Sequence, residues 1–85
     1  MKLKPYASNM TIVEMNSNID VLFSYSTPVA AYVLGKGYCR TDKWFSQTTS
    51  RHINKWLRDE GILDVDEVQQ KPQEYFDNLV TQENF

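Results

Sequence analysis

The residue types best suited to chemistry lie in one stretch of ten residues, T-T-S-R-H-I-N-K-W-L at positions 48–57. The stretch holds the only histidine of the chain, three adjacent hydroxyls and two cations. Hydroxyl residues begin a helix well, and the unpaired backbone N–H groups of its first turn attract anions. The first interpretation is that these hydroxyls only cap the helix. The alternative is an anion site for a nucleotide or a nucleic acid, because one Ser or Thr suffices for a cap and three in a row exceed that need. The candidate residues of this anion site are Thr48, Thr49, Ser50, Arg51, His52 and Lys55.

His52 is also the natural candidate for acid–base catalysis. Such a histidine needs an oriented partner, and nucleophilic catalysis needs a Ser or Cys within its reach. Ser50 and Cys39 are available, but their spacing pairs neither of them with His52. A lone helical histidine beside an apolar residue is more often a hydrogen-bonded structural residue. We therefore expect no catalytic residue and no enzyme activity.

Metal and phosphate motifs are incomplete in this sequence. One Cys and one His fall short of the roughly four ligands of structural zinc. The residues Asp64, Asp66 and Glu67 lack the glycine and the terminal glutamate of a calcium loop. The G-K-G turn at 35–37 lacks the spacing of a P-loop and its Ser or Thr. The sequence therefore predicts no metal and no cofactor.

Composition indicates one small globular domain without a membrane span. The 85 residues are 41% hydrophobic and 24% charged, which is typical of a folded protein. No apolar run approaches the ~20 residues of a membrane helix, and the basic N-terminus lacks the apolar core of a signal peptide. A single cysteine forms no internal disulfide. These features predict a cytoplasmic protein that does not bind membranes.

The net charge of −2 hides an asymmetry along the chain. Residues 1–58 hold eight basic and three acidic residues, whereas residues 59–85 hold eight acidic residues and a single cation. Either the acidic tail docks on the basic body, or its carboxylates face a partner of opposite charge. In the second case we expect an aromatic ring to anchor the partner. The predicted partner-binding residues are Asp64, Asp66, Glu67, Glu74, Tyr75, Phe76 and Asp77.

The elements that must position these residues form one α+β domain over residues 1–85. Residues 1–9 show no periodicity and are predicted to be a loose N-terminal arm. Residues 10–47 contain alternating apolar residues and turn signals, which predict a small antiparallel sheet, a meander of about four strands. Residues 48–61 are predicted to form a capped helix packed on this sheet. Residues 62–85 are predicted to form an acidic helical tail.

The predicted helix has the clearest boundaries in the chain. Ile53, Trp56 and Leu57 follow the i, i+3, i+4 spacing of one apolar stripe, which predicts burial against the sheet. Gly61 is expected to end the helix in a left-handed conformation, with Ile62 folding back as in a Schellman cap.

Two blocks of the sequence carry a resemblance. The first is F-S-Y-x-T-P-V-A, a strand at 23–30, and the second is T-T-S-R/K-H-I-N-x-W-L, the helix start at 48–57. Over about residues 19–58 the chain resembles a family of small uncharacterised proteins found mostly in tailed-phage genomes. The resemblance implies a phage accessory protein without a settled activity, and the tail beyond Gly61 lies outside it.

These observations predict a phage accessory protein that binds a host protein without catalysis. The target would be a host protein such as a defence nuclease, inhibited in an anti-CRISPR-like manner in the host cytoplasm. The alternative is a nucleotide- or nucleic-acid-binding module that uses the helix start at 48–55. Self-association into a homo-oligomer stays open as well.

Overall fold

Six strands form a single sheet, and one helix packs on each face of it. The computed structural model describes residues 2–81. The elements in chain order are β1 (Lys2–Ala7), β2 (Met10–Asn16), β3 (Ile19–Ser24), β4 (Thr27–Val33), β5 (Gly37–Thr41), α1 (Gln47–Asp59), a 3-10 helix (Val65–Glu67), β6 (Gln69–Lys71) and α2 (Gln73–Thr81). The α+β class is confirmed, and the expected number of about four strands is too low.

The strands lie in the sheet in the order in which they occur in the chain. The first five strands pair antiparallel, as predicted for a meander. β6 instead pairs parallel to β5, with Cys39 opposite Gln69 and Thr41 opposite Lys71. A parallel neighbour needs a crossover connection, and α1 with the 3-10 helix supplies it. The sheet is therefore mixed, because the tail contributes a strand to it.

β1 occupies the segment that was expected to be a loose arm, residues 1–9. Its side chains are almost all exposed, so no buried face marks the strand in the sequence. The strand is held to its neighbours by side chains as well as by pairing. Lys4 Nζ lies 2.6 Å from Glu14 Oε2, and the Tyr6 hydroxyl donates to the Asp59 carboxylate of α1. Burial, and then this carboxylate, raise the pKa of Tyr6 to about 12.

The first face of the sheet packs against α1. The apolar stripe Ile53, Trp56 and Leu57 is buried there, as its spacing predicts. Ala30 of β4 and Trp56 belong to the same buried cluster. Trp44, the other tryptophan, is 70% exposed.

The second face of the sheet packs against α2. Phe76 and Leu79 are buried there among side chains of β2, β3 and β4. Cys39 of β5 belongs to the same cluster, and burial raises the pKa of its thiol. α2 has only nine residues, which is a length of roughly 13–14 Å. Within residues 2–81, it therefore covers only part of this face.

The two ends of α1 are fixed by hydrogen bonds. The helix begins slightly earlier than expected, because Ser46 is the N-cap and its Oγ accepts from the Thr49 N–H at 3.1 Å. At the other end Gly61 has a φ of +94°. The Ile62 N–H donates to the Leu57 carbonyl at 2.9 Å, and the Gly61 N–H donates to Arg58 at 3.0 Å. These are the two bonds of the predicted Schellman cap.

The predicted acidic helical tail, residues 62–85, is helical only in part over residues 62–81, and residues 82–85 lie outside the described part of the chain. Val65 of the 3-10 helix is buried against α1, β6 extends the sheet, and α2 covers the second face. Three residues of an edge strand carry no apolar pattern, so β6 has no signal in the sequence. Among residues 2–81 the ion pairs are Lys4–Glu14 and Lys55–Asp59. The segment therefore docks through backbone pairing and apolar side chains, rather than through ion pairs with the basic body.

Neither helix in the described part of the chain is long and apolar enough to cross a lipid bilayer.

Candidate functional site

The two sequence blocks at 23–30 and 48–57 meet at one end of the sheet. Ser24, the last residue of β3, points towards α1. Its Oγ lies 2.7 Å from Nδ1 of His52 and 3.1 Å from Oγ1 of Thr49. Ser24 is 2% exposed and Thr49 is 7% exposed. The contact therefore joins strand and helix through a buried chain of hydroxyls that ends on the histidine.

Burial favours the neutral form of His52. It lowers the pKa of the imidazole, because it disfavours the charged ring. The Ser46 hydroxyl donates to Thr49 Oγ1 at 3.3 Å, and either hydroxyl can be the donor between Thr49 and Ser24. The tautomer of the ring decides whether Ser24 donates to Nδ1 or accepts from it.

The pairing of Ser24 with His52 was missed in the sequence. One feature of the sequence could have indicated it. Ser24 lies two residues after Leu22, so both side chains point to the same buried face of β3. A hydroxyl at such a position needs a partner, because an unpaired buried polar group is costly. The pair does not form a nucleophile for an external substrate, since the Ser24 hydroxyl is buried between the strand and the helix. Its geometry suits the positioning of His52 and of the adjoining turn.

That turn holds Tyr25 in an unusual conformation. Tyr25 has a φ of +57°, and Asn9 in the neighbouring turn has a φ of +60°. The Tyr25 N–H donates to the Asn9 carbonyl at 2.8 Å, and its ring centroid lies 5.7 Å from that of His52. A left-handed residue other than glycine costs about 1–3 kcal/mol and persists where the surroundings enforce it. The strained backbone presents an aromatic ring that is 55% exposed.

An apolar groove lies beside Tyr25 on the second face of the sheet. Its volume is about 360 Å³. The lining residues, which define the apolar groove below, are Leu3, Thr11, Val13, Phe23, Tyr25 and Val80. Thr11 pairs with Phe23 and Leu3 pairs with Val13 across β1, β2 and β3, so these side chains share one face. Within residues 2–81, α2 packs mainly on β4 and does not cover this part of the face.

The predicted anion site at the start of α1 is only partly assembled. The Ser50 N–H donates to the Ser46 carbonyl at 3.1 Å, and the Thr49 N–H donates to Ser46 Oγ. His52 is engaged by Ser24. Lys55 lies 3.2 Å from Asp59, whereas Arg51 is exposed and Thr48 is half-buried. Most of the groups proposed for an anion therefore have partners inside the fold, and the anion site stays a prediction.

Comparison with known proteins places the chain in a family. A family model described as a family of unknown function, DUF8033, matches residues 1–78. The chain belongs to the DUF8033 family. The match extends from β1 into α2, so it includes residues 62–78 of the tail, which the resemblance over residues 19–58 left out. No curated protein and no solved structure matches the chain.

The predicted partner-binding residues of this DUF8033 chain do not form one surface. Asp64, Asp66 and Glu67 surround the 3-10 helix beside α1, whereas Glu74 and Asp77 lie on α2. All five are exposed. The 3-10 helix packs on the same face of the sheet as α1, whereas α2 packs on the other face. The two groups of carboxylates therefore lie on opposite sides of the sheet.

The two aromatic residues of that set have different environments. Phe76 is fully buried in the core beneath α2, so the expectation of an exposed anchor at this position is wrong. Tyr75 is half-buried, and its ring lies 5.3 Å from that of Phe76. Lys71 Nζ lies 5.3 Å from the Tyr75 ring. The apolar residues of α2 therefore pack mainly against the sheet.

Metal-ligating side chains are dispersed in this DUF8033 chain. Within residues 2–81, no three His, Cys, Asp or Glu side chains lie close enough together to hold a metal ion.

Proposed function

We propose that the protein is a phage accessory protein that binds a host protein, without catalysis, in the host cytoplasm. A phage origin is supported by the resemblance of the blocks at 23–30 and 48–57 to proteins of tailed phages. A host protein that a phage must block, such as a defence nuclease, fits this role. The apolar groove is the surface that we assign to the binding.

The observation that carries this proposal is the exposure of large apolar side chains around the groove. Leu3 is 64% exposed and Tyr25 is 55% exposed, and they line the same groove as Phe23 and Val80. A contiguous exposed apolar patch marks an interaction site more often than scattered single residues do. Burial of apolar surface contributes about 25 cal/mol per Å², so covering this groove favours association.

Tyr25 is suited to be the anchor of the interaction. Aromatic residues dominate the energetics of interfaces. The backbone bond to Asn9 and the contact with His52 hold the Tyr25 ring in place before any partner arrives. A side chain that is already ordered loses less conformational entropy on binding. The buried contacts of Ser24 therefore support the binding surface from below.

Trp44 favours a second candidate function, which is nucleic-acid binding beside the start of α1. Trp44 is 70% exposed, and Lys43 Nζ lies 5.0 Å from the Phe45 ring. An exposed indole next to cations can stack on a base while the cations meet phosphates. The internal use of the Thr49 and Ser50 N–H groups weighs against this candidate, as does the net charge of −2.

Affinity capture from host lysate tests both candidates. The wild type is compared with Tyr25→Asn, which removes the ring while Asn tolerates the left-handed backbone. Trp44→Ala is the matched control, because it removes an exposed ring from a different surface. We expect the wild type and Trp44→Ala to capture the same host protein after nuclease treatment, and Tyr25→Asn to lose it. Capture that is lost on nuclease treatment and with Trp44→Ala, but kept by Tyr25→Asn, would instead support the nucleic-acid function.

A further inference from the structure

The rim of the apolar groove carries charge on one side. Asp77 lies on α2 one turn before Val80 and is exposed. Gln73 fixes its position: the Gln73 Nε2 donates to Asp77 Oδ1 at 3.2 Å and to the Pro28 carbonyl at 2.7 Å. Pro28 pairs with Phe23, which lines the groove. The Asp77 carboxylate is therefore held near the Phe23 end of the groove.

No ion pair joins this carboxylate to a cation among residues 2–81. The ion pairs among residues 2–81 involve neither Asp77 nor Glu74, which lies one turn earlier on α2. The Gln73 side chain is neutral, and its Nε2 donates to Asp77. The Asp77 carboxylate is therefore the group that gives this side of the groove a negative charge.

Within residues 2–81, the opposite rim, which is formed by β1, contributes no charged side chain to the groove. Leu3 lines the groove, and the neighbouring side chains of a strand point to the other face. Lys4 accordingly pairs with Glu14 away from the groove. A partner therefore meets an apolar floor and wall on the β1 side and a negative rim on the α2 side.

We propose, resting on the proposed function, that the groove binds a protein segment that combines large apolar side chains with an adjacent Lys or Arg. The apolar side chains cover Leu3, Phe23 and Tyr25, and the cation lies against Asp77. The volume of about 360 Å³ is at the small end of the ~300–1,000 Å³ range of ligand pockets. It therefore accommodates a few side chains of a segment rather than a whole domain.

The same charges argue against a second copy of this chain as the occupant. If the two-fold axis of a symmetric dimer passed through the groove, the two grooves would face each other. The Asp77 carboxylates of the two copies would then approach each other, which is unfavourable. The single sign of the rim selects a partner of the opposite sign.

Two synthetic amphipathic peptides test this inference on the full-length chain. One peptide is built from Leu and Lys, and the other has Glu in place of every Lys. We expect the Leu/Lys peptide to shift the backbone amide NMR signals of Leu3, Val13, Phe23, Tyr25 and Val80, and to bind more tightly than the Leu/Glu peptide. Asp77→Asn should weaken this binding about two- to fivefold, and Leu3→Ser should weaken it about tenfold.

Each variant has a matched control on another surface. Asp42→Asn removes an exposed carboxylate at the end of β5, and Leu63→Ser removes an apolar side chain that is 96% exposed. Both should bind the Leu/Lys peptide as the wild type does. Equal binding of the two peptides would overturn the inference. It would also be overturned if Asp42→Asn weakened binding of the Leu/Lys peptide as much as Asp77→Asn does. Concentration-dependent shifts of the groove amides without peptide would overturn it in favour of self-association. In each of these cases the proposed function would still be upheld if the wild type captured a host protein from lysate and Tyr25→Asn did not.

Discussion

Ser24 links the strand block and the helix block through one buried hydroxyl. It lies between Thr49 and His52, at 3.1 Å and 2.7 Å, beneath the turn that presents Tyr25. The hydrogen-bonded role expected for His52 could be inferred from its place on an apolar helix. Its partner could not, because Ser24 is distant in sequence and a strand must first bring it to the helix. The strained backbone of Tyr25 was equally hidden, since no glycine or asparagine at that position signals it.

We predict that His52 makes the stability of the protein depend on pH near neutrality. Burial lowers the pKa of His52 in the folded state, whereas the unfolded chain binds a proton near about pH 6.5. The unfolded state therefore takes up protons first as the pH falls. The stability is fully present above about pH 6.5 and is lost as the pH falls towards the lowered folded pKa.

His52→Asn is the variant for this measurement, because Asn does not titrate and can place a polar atom near Ser24. The melting temperature is measured at about pH 7.5 and about pH 5.5, on the two sides of the ordinary histidine pKa. The wild type should lose more stability on acidification than His52→Asn does. An equal loss in both proteins would show that His52 does not carry the pH dependence.

At the scale of elements, the sequence predicts α1 well and the edge strands poorly. Its apolar stripe and the Gly61 cap are local signals, and both are found where they were expected. β1 and β6 lie at the two edges of the sheet, and most of their side chains are exposed. A strand without a buried face has no apolar alternation to reveal it. The cap at Ser46 was missed because several hydroxyls in a row offer competing caps.

The two tryptophans give a direct test of how α1 packs. Trp56 is 2% exposed in the core, whereas Trp44 is 70% exposed. Trp56→Ala should lower the free energy of unfolding by about 3–5 kcal/mol, which is a large share of the ~5–15 kcal/mol of a typical domain. Trp44→Ala should change it by no more than about 0.5 kcal/mol. Denaturant unfolding of the two variants measures this difference, and a near-native stability of Trp56→Ala would contradict the packing.

At the scale of the whole molecule, the charge asymmetry did not predict how the tail docks. The tail returns to both faces of the sheet with Val65, Phe76 and Leu79 in the core. The carboxylates of residues 64–77 remain on the surface. Apolar burial decides this arrangement, because exposed ion pairs contribute only about 0–1 kcal/mol each. Among the described residues, α2 buries Phe76 but does not cover the apolar groove, and the sequence contains no local signal for such a gap.

The central claim is that the apolar groove is the surface that meets a host protein. Photo-crosslinking tests it most directly, with a benzoylphenylalanine probe in place of Leu3 at the groove or in place of Leu63 on the α1 side. Both positions are exposed, so both probes should leave the fold intact. We predict that in host lysate the Leu3 probe forms a crosslink to a specific host protein, and that the Leu63 probe does not. A host protein that crosslinks to the Leu63 probe and not to the Leu3 probe would contradict the claim.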